Sequence, residues 1–412
     1  MTSTTIPKSL SLSTDSAAEM RETYKYLHAN PELSMAEHKT ADYLAKRLDE
    51  LGLEVFRCGG TGVVGVLRNG EGPVIGMRAD TDGLPVLEDT GLDYASTATG
   101  VLDDGTEVPT MHACGHDTHM ATALKTAELY AGAKDAWAGT IVFVLQPGEE
   151  TAAGARAMVE DGLWDKAPKP EIMFGQHVMN GLTGTVTLMA GAAMTTADSF
   201  KVTVFGQGSH GSMPEHSIDP IVLGASMVLR LQTIVSRQVA PQSAAVVTIG
   251  SFHAGLKENV IPDRAVFTIN VRTFDTEVRE IVLSSIRRII GAEAEASGAP
   301  EPLIEDISNF PPLFNDPTET EKLTEEFRAE FGEDRVLPGS PVMGSEDFGA
   351  LAAAIDVPSV FWFFGGNSAE TLAAGHPPAN HSPFFAPVIE PTLSTGVQAA
   401  VRALFSKVGK EQ

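Results

Sequence analysis

The densest group of potential ligand atoms in the chain is Met111-His112-Ala113-Cys114-Gly115-His116-Asp117-Thr118-His119, where three histidines, one cysteine and one aspartate fall within eight residues. Imidazole, thiolate and carboxylate are the side chains that bind borderline divalent metals. Taken alone, the segment serves equally well as a metal-binding turn or as a helix start whose histidines are satisfied core or capping residues. Further candidates lie elsewhere. Asp80 follows the apolar run 73–77, Glu149 and Glu150 follow the run 140–145 through Gln146-Pro147-Gly148, and His177 closes the run begun at 171. Each stands where a strand is expected to end. In open α/β sheets the ligand crevice lies outside the carboxyl ends of the strands, so such positions converge on one rim. The alternative is that loops are polar in any case. Two other chemistries lack support. Gly60-Thr61-Gly62-Val63-Val64-Gly65 has the spacing of a dinucleotide fingerprint, which must open a helix, and 63–67 reads as a strand. No G-x-S-x-G nucleophile elbow occurs.

The elements that must position these residues follow from periodicity. Met20, Tyr24 and Leu27, then Ala41, Leu44 and Leu48, recur at helical spacing on either side of Asn30-Pro31, which predicts two helices joined by a turn. Short apolar runs at 53–56, 62–67 and 73–77, separated by glycines, suit a hairpin and a further strand. Helix and strand then alternate: helix 117–132, strand 140–145, helix 153–161, strand 171–177. That order predicts a mainly parallel α/β sheet flanked by helices. After about 187 the order becomes strand 200–205, helix 219–237, strands 244–251 and 265–272, helix 277–296 and strand 302–306, a βαββαβ ferredoxin-like unit. Helix 318–331, the apolar strand 360–364 and a last helix 391–408 return to the first pattern. The expected domains are therefore residues 1–187 with 308–412, an α/β domain, and 188–307, an inserted unit. The aromatic run Phe361 to Phe364 is read as a buried strand.

Composition sets the outer limits. At roughly 150 residues per domain, 412 residues are too many for one core. With 29 basic and 54 acidic side chains the net charge is −25, which repels phosphate backbones and anionic lipid, so neither nucleic acid nor membrane is expected as a partner. No stretch approaches 18 unbroken apolar residues, and the N-terminal residues do not read as a secretory signal. Two cysteines, Cys58 and Cys114, are too few for a disulfide framework, and a cytoplasmic location is expected. Cys58, without ligand neighbours, is read as a small buried apolar residue. His28, His38, His253 and His376 receive no role.

The motifs HACGHD at 112–117, RADTDGLP at 78–85, QPGEE at 146–150, QHV at 176–178, NVIPD at 259–263, VRTFD at 271–275, GSEDF at 344–348 and NHSPFF at 380–385 resemble the peptidase M20 family in its amidohydrolase branch of hippurate hydrolases and aminoacylases. The resemblance spans nearly the whole chain. It implies hydrolysis of N-acyl amino acids at a two-metal site, with Cys114 bridging, His116 and His177 on one ion, and Glu150 and His381 on the other. Glu149 is implied as general base. Two ions roughly 3.5–4 Å apart can share a bridging water and polarise a carbonyl. The thiolate favours Zn²⁺ or Co²⁺, although the family also uses Mn²⁺. Asp80 is expected to accept the free N–H of a ligand imidazole, unless it is simply a turn aspartate. His112 and His119 are expected to support the loop.

The resemblance also makes the inserted unit a lid and dimerisation domain, and a homodimer through the lid is expected. His210 is implied to stabilise the oxyanion, within one chain or across the dimer, and is otherwise a surface histidine. Asn259 and Arg272 are candidates to hold the substrate carboxylate, Arg272 being equally suited to a salt bridge with a neighbouring Asp. Ser345 and Glu346 are weaker candidates for the pocket. Two departures stand out. Arg78 occupies the place of a ligand histidine in the wider family, as is usual in this branch, and cannot ligate. In the lid motif, Glu215 follows Pro214 and the histidine comes one place late, as His216. A dipeptidase or carboxypeptidase using the same site is the rival enzyme, and a metal-binding protein with a dead site the rival from another class. Retention of Glu149 next to Glu150 argues against the latter.

Overall fold

The computed structural model describes residues 5–410, which form two compact units. The first runs to Ala193 and resumes over Phe314–Ser340 and from Asp347 onward. The second comprises Met194–Leu313 and Pro341–Glu346. The boundaries thus fall at Ala193 and Leu313, where the sequence reading set them at 187 and 307.

The first unit is built on an eight-stranded sheet in the order Glu54–Cys58, Gly62–Asn69, Gly139–Gln146, Val74–Asp80, Ile172–Leu182, Ser359–Asn367, Val186–Leu188, Val336–Pro338. Its four central strands are parallel. The antiparallel hairpin Glu54–Cys58/Gly62–Asn69 extends one side, turning at Gly59 and Gly60, both at positive φ, where glycine alone is unstrained. Every residue of Gly139–Gln146 and Ser359–Asn367 is buried. Side chains alternate between faces along a strand, so unbroken burial means that both faces are covered. The expected mainly parallel sheet flanked by helices is what the structure contains. Helix His116–Gly132, buried on nearly all sides, packs on the sheet with helices Thr14–His28 and Ile389–Val408.

Some elements differ from expectation. The strand from Ile172 runs on to Leu182, so His177 lies inside it rather than at its end. The small strands Thr99–Val101 and Glu107–Pro109, and the pair Val186–Leu188/Val336–Pro338, were not anticipated. The second unit contains the order βαββαβ, with a four-stranded antiparallel sheet carrying helices Pro220–Leu231 and Thr276–Ala296. The single helix expected over 219–237 is two, Pro220–Leu231 and Thr233–Arg237. No helix among the described residues is long and apolar enough to cross a membrane.

Candidate metal centre

Strand register brings the scattered candidates of the first unit level. Asp80 pairs with Gln146, and Gly175 lies opposite Arg78, which sets His177, two residues on, at the height of Asp80. Gln146 is followed by the turn that carries Glu149 and Glu150. Cys114 and His116 arrive at the start of the buried helix, whose entry needs Gly115 at φ 85. A Cβ there would lie 2.4 Å from Val178. His381 is brought in by its peptide N–H, which donates to Ala113 O at 2.8 Å.

The donor atoms converge. Cys114 Sγ is 3.4 Å from His177 Nε2, His381 Nε2 is 3.4 Å from Glu150 Oε1, and His116 Nε2 is 3.8 Å from the same oxygen. Separations of roughly 3.3–3.8 Å are those of donors gathered around tetrahedral ions held at about 2.0–2.3 Å. His116 Nε2 and Glu150 Oε1 are buried and have no hydrogen-bond partner. A buried unsatisfied polar atom costs about 1–3 kcal/mol, which bound cations would offset. The residues therefore fit a divalent metal.

Hydrogen bonds set the imidazole tautomers. His177 donates Nδ1–H to Val178 O at 2.7 Å, leaving the Nε2 lone pair toward Cys114. Burial, then His119, pushes His177 well below the ordinary histidine range, so it is neutral as a ligand must be. His116 Nδ1 meets the main-chain and side-chain oxygens of Asp82, at 2.9 and 3.1 Å. Burial opposes its charged form, but Asp80, Asp82 and Glu150 outweigh it and lift His116 to about 10. The Cys114 thiol is pushed up by burial and then by the carboxylates of Glu150, Glu149 and Asp80. Such an anion-rich pocket favours a cation, whose binding would displace protons from His116 and Cys114.

Asp80 does not have the role expected of it. Its Oδ1 accepts from His119 Nδ1 at 2.5 Å and its Oδ2 from Arg78 Nη1 at 2.6 Å. Burial would raise its pKa, but Arg78, His116 and His119 hold it well below the usual range. His119 is no ligand, because its Nε2 accepts Val178 N–H at 2.8 Å and both ring nitrogens are used. The carboxylate that orients a candidate ligand is Asp82, which also accepts Glu150 N–H at 3.0 Å and the Ser34 hydroxyl at 2.6 Å. Neither nitrogen of the buried His112 makes a hydrogen bond, and burial lowers it to about 4. Its expected support of the loop therefore rests on packing alone. His28, given no role from sequence, lies buried between Asp117 Oδ2 (2.6 Å) and Glu88 Oε1 (3.0 Å). A histidine on the same helical face as Tyr24 and Leu27 was the signal that it needed a partner.

In the second unit, His210 pairs with Val260 in a short ribbon, and Gly211 N–H donates to Asn259 O at 2.8 Å, so His210 and Asn259 are neighbours. Ser212 N–H donates to His210 Nδ1 at 3.1 Å, which puts the proton on Nε2, facing outward as a donor. Arg272 donates to Met343 O at 2.8 Å and to Asn270 Oδ1 at 3.1 Å, with Ser345 Oγ at 3.5 Å. Among the described residues it forms no salt bridge with an Asp.

The family model described as Peptidase family M20/M25/M40 matches residues 76–406. Hippurate hydrolase of Campylobacter jejuni is 38% identical over 339 residues, covering 81% of this chain and 85% of that protein. Thermostable carboxypeptidase 2 of Saccharolobus solfataricus is 34% identical over 381 residues, covering 90% of this chain and 91% of that protein. A solved dinuclear metal-binding M20 peptidase of Bacillus subtilis matches with a TM-score of 0.75 and 30% identity, covering 95% of this chain and 98% of that one. With its donor set assembled as described, the chain belongs to peptidase family M20/M25/M40 and is a metal-dependent hydrolase.

Proposed function

We propose that this enzyme hydrolyses the amide bond of N-acyl amino acids, releasing a carboxylic acid and a free amino acid. The observation that carries the reading is the pair of unsatisfied buried atoms, His116 Nε2 and Glu150 Oε1, set among Cys114, His177 and His381 with the buried Glu149 alongside. Five donors would suffice to hold two divalent ions, His116 and His177 serving one position, Glu150 and His381 the other, and Cys114 available to both. A thiolate ligand from Cys114 would favour Zn²⁺, with Co²⁺ or Mn²⁺ as alternatives. Bound ions would supply Lewis acidity to the scissile carbonyl and to the attacking water. Glu149 takes the proton from that water and returns it to the leaving amine. His210 Nε2–H, as donor, suits an oxyanion, and Arg272 and Asn259 suit a carboxylate.

The resemblance to hippurate hydrolase supports an acyl amino acid as substrate, since hippurate is one. The likeness to a carboxypeptidase favours a second reading, a peptidase using the same site. A panel of N-acetyl, N-benzoyl and long-chain N-acyl amino acids, assayed beside dipeptides with free α-amines, separates the two. Cleavage of the dipeptides alone overturns the first reading.

We also propose a cytoplasmic homodimer formed through the second unit. Both cysteines are free and buried. The edge strand Ala245–Ala254 exposes Val246 and Phe252, and helix Pro220–Leu231 exposes Val222 and Leu229, apolar surface that a second copy would cover. Light scattering that gives a monomer at micromolar concentration contradicts the dimer.

A further inference from the structure

Glu37 is fully buried, 111 residues before the turn it touches, and supplies none of the candidate ligands. Its Oε1 accepts the peptide N–H of Gly148 at 2.8 Å and that of Met35 at 2.9 Å, and its Oε2 accepts the Thr61 hydroxyl. Met35 and Gly148 are both at positive φ, 62° and 56°, and a Cβ on Gly148 would lie 2.5 Å from the Met35 sulfur. The two turns are thus interlocked, with the Glu37 carboxylate as the bond between them. One peptide unit beyond Glu149, Glu150 N–H is held by Asp82, itself fixed by Ser34 three residues before Glu37. Alternate N–H groups of the Gly148-Glu149-Glu150 turn are therefore held by buried carboxylates from other segments, and a peptide clamped at both ends has one direction in which to project its side chains.

We propose that Glu37 is a positioning residue: by fixing the Gly148 peptide it sets the direction in which Glu149 and Glu150 leave the main chain, and so the affinity of the Glu150 metal position and the placement of the base. The inference rests on the assignment of Glu150 as a ligand and Glu149 as the base. What matters in it is the acceptor geometry of Oε1 rather than the charge. Burial, and then the negative Asp82, lift Glu37 to about 7, so near that pH both protonation forms must serve. With two N–H donors already on Oε1, the proton of the neutral form belongs on Oε2, where the Thr61 hydroxyl can turn to accept it.

The test is to strip the full-length protein of metal and titrate it with Zn²⁺ and with Mn²⁺ by calorimetry, alongside kcat and KM on an N-acyl amino acid. Glu37→Gln keeps an amide oxygen for Gly148 and Met35 and is expected to match wild type in metal affinity and kcat. Glu37→Ala is expected to weaken one metal position by about 10–100-fold, as loss of a partner behind a ligand does, and to lower kcat more than it raises KM. Should Glu37→Ala fail to fold, Glu37→Asp, whose shorter arm withdraws from Gly148, is expected to shift the same quantities in the same direction. Thr61→Val, which removes only the Oε2 contact, controls for simple destabilisation and should leave metal affinity unchanged. A folded Glu37→Ala or Glu37→Asp protein with wild-type metal affinity and kcat overturns the proposal, as does a Glu37→Gln protein as impaired as Glu37→Ala. A wild type that binds metal yet cleaves no N-acyl amino acid refutes the substrate reading instead, and the calorimetric comparison still decides the role of Glu37.

Discussion

His116 Nδ1 lies 3.1 Å from Asp82 Oδ1 and 2.9 Å from the Asp82 main-chain oxygen, so a single residue fixes the ring whose other nitrogen faces Glu150. Removal of such a carboxylate typically costs 10–100-fold in metal affinity. Asp82→Ala should therefore weaken metal binding by about that factor, measured by competition with a chelator of known affinity. Asp80→Asn, which acts through His119 and Arg78, should weaken it less. The opposite ranking would restore Asp80 to the role first expected of it.

Cys114 is the donor proposed to touch both ions. Cys114→Ser replaces a thiolate with a hydroxyl that stays protonated near neutral pH, and both ions should be lost together. Elemental analysis after reconstitution and desalting should find less than one metal per chain. Two metals retained in that variant would remove Cys114 from the bridging position.

Buried His28 gives a pH signature of its own. Burial opposes its charge, but the hydrogen bonds to Asp117 and Glu88 win and raise it from 6.5 to about 9. A histidine raised on folding contributes stability that is fully present below its unfolded pKa and is lost as pH rises through the folded one. The contribution, on the order of 3 kcal/mol, should be complete below about pH 6.5 and should fade toward pH 9. The melting-temperature gap between wild type and His28→Gln is expected to be wide at pH 6 and to narrow by pH 10. Because His116 is also raised, only the difference between the two proteins isolates His28. A gap of constant width over that range would show that His28 acts by packing alone.

What sequence can and cannot disclose here has physical reasons. The parallel strands were legible because apolar runs such as 140–145 and 360–364 need cover on both faces, and the observed strands Gly139–Gln146 and Ser359–Asn367 are buried throughout. The converging donors were legible in part, because Glu150 follows the strand Gly139–Gln146 and Cys114 stands at the entry of helix His116–Gly132, whereas His177, expected at a strand end, lies within Ile172–Leu182. The choice between Asp80 and Asp82 was not. Asp80 ends the strand Val74–Asp80 and Asp82 lies two residues beyond it, and only the ring positions of His116 and His119 decide which carboxylate meets which nitrogen. Glu37 was missed, and the partner of His28 was not legible, because Gly148 and Asp117 lie 111 and 89 residues away, and pairing at that distance leaves no local period to read. Glu37 stands just before a helix, where an acidic residue is ordinarily a solvated one favoured by the helix dipole.

The division of labour between the adjacent glutamates bears most directly on the mechanism. One preparation of Glu149→Gln should be examined for both metal content and kcat, beside Glu150→Gln and wild type. If Glu149 moves the proton and Glu150 holds metal, Glu149→Gln keeps two metals per chain while kcat falls by a factor on the order of 10² to 10⁴. Glu150→Gln should lose metal and regain part of its activity at high added metal. Melting temperatures of the metal-free proteins must match, so that a disordered turn is not mistaken for a lost proton acceptor. A Glu149→Gln enzyme with near-wild-type turnover, or equal metal loss in the two variants, would contradict the assignment.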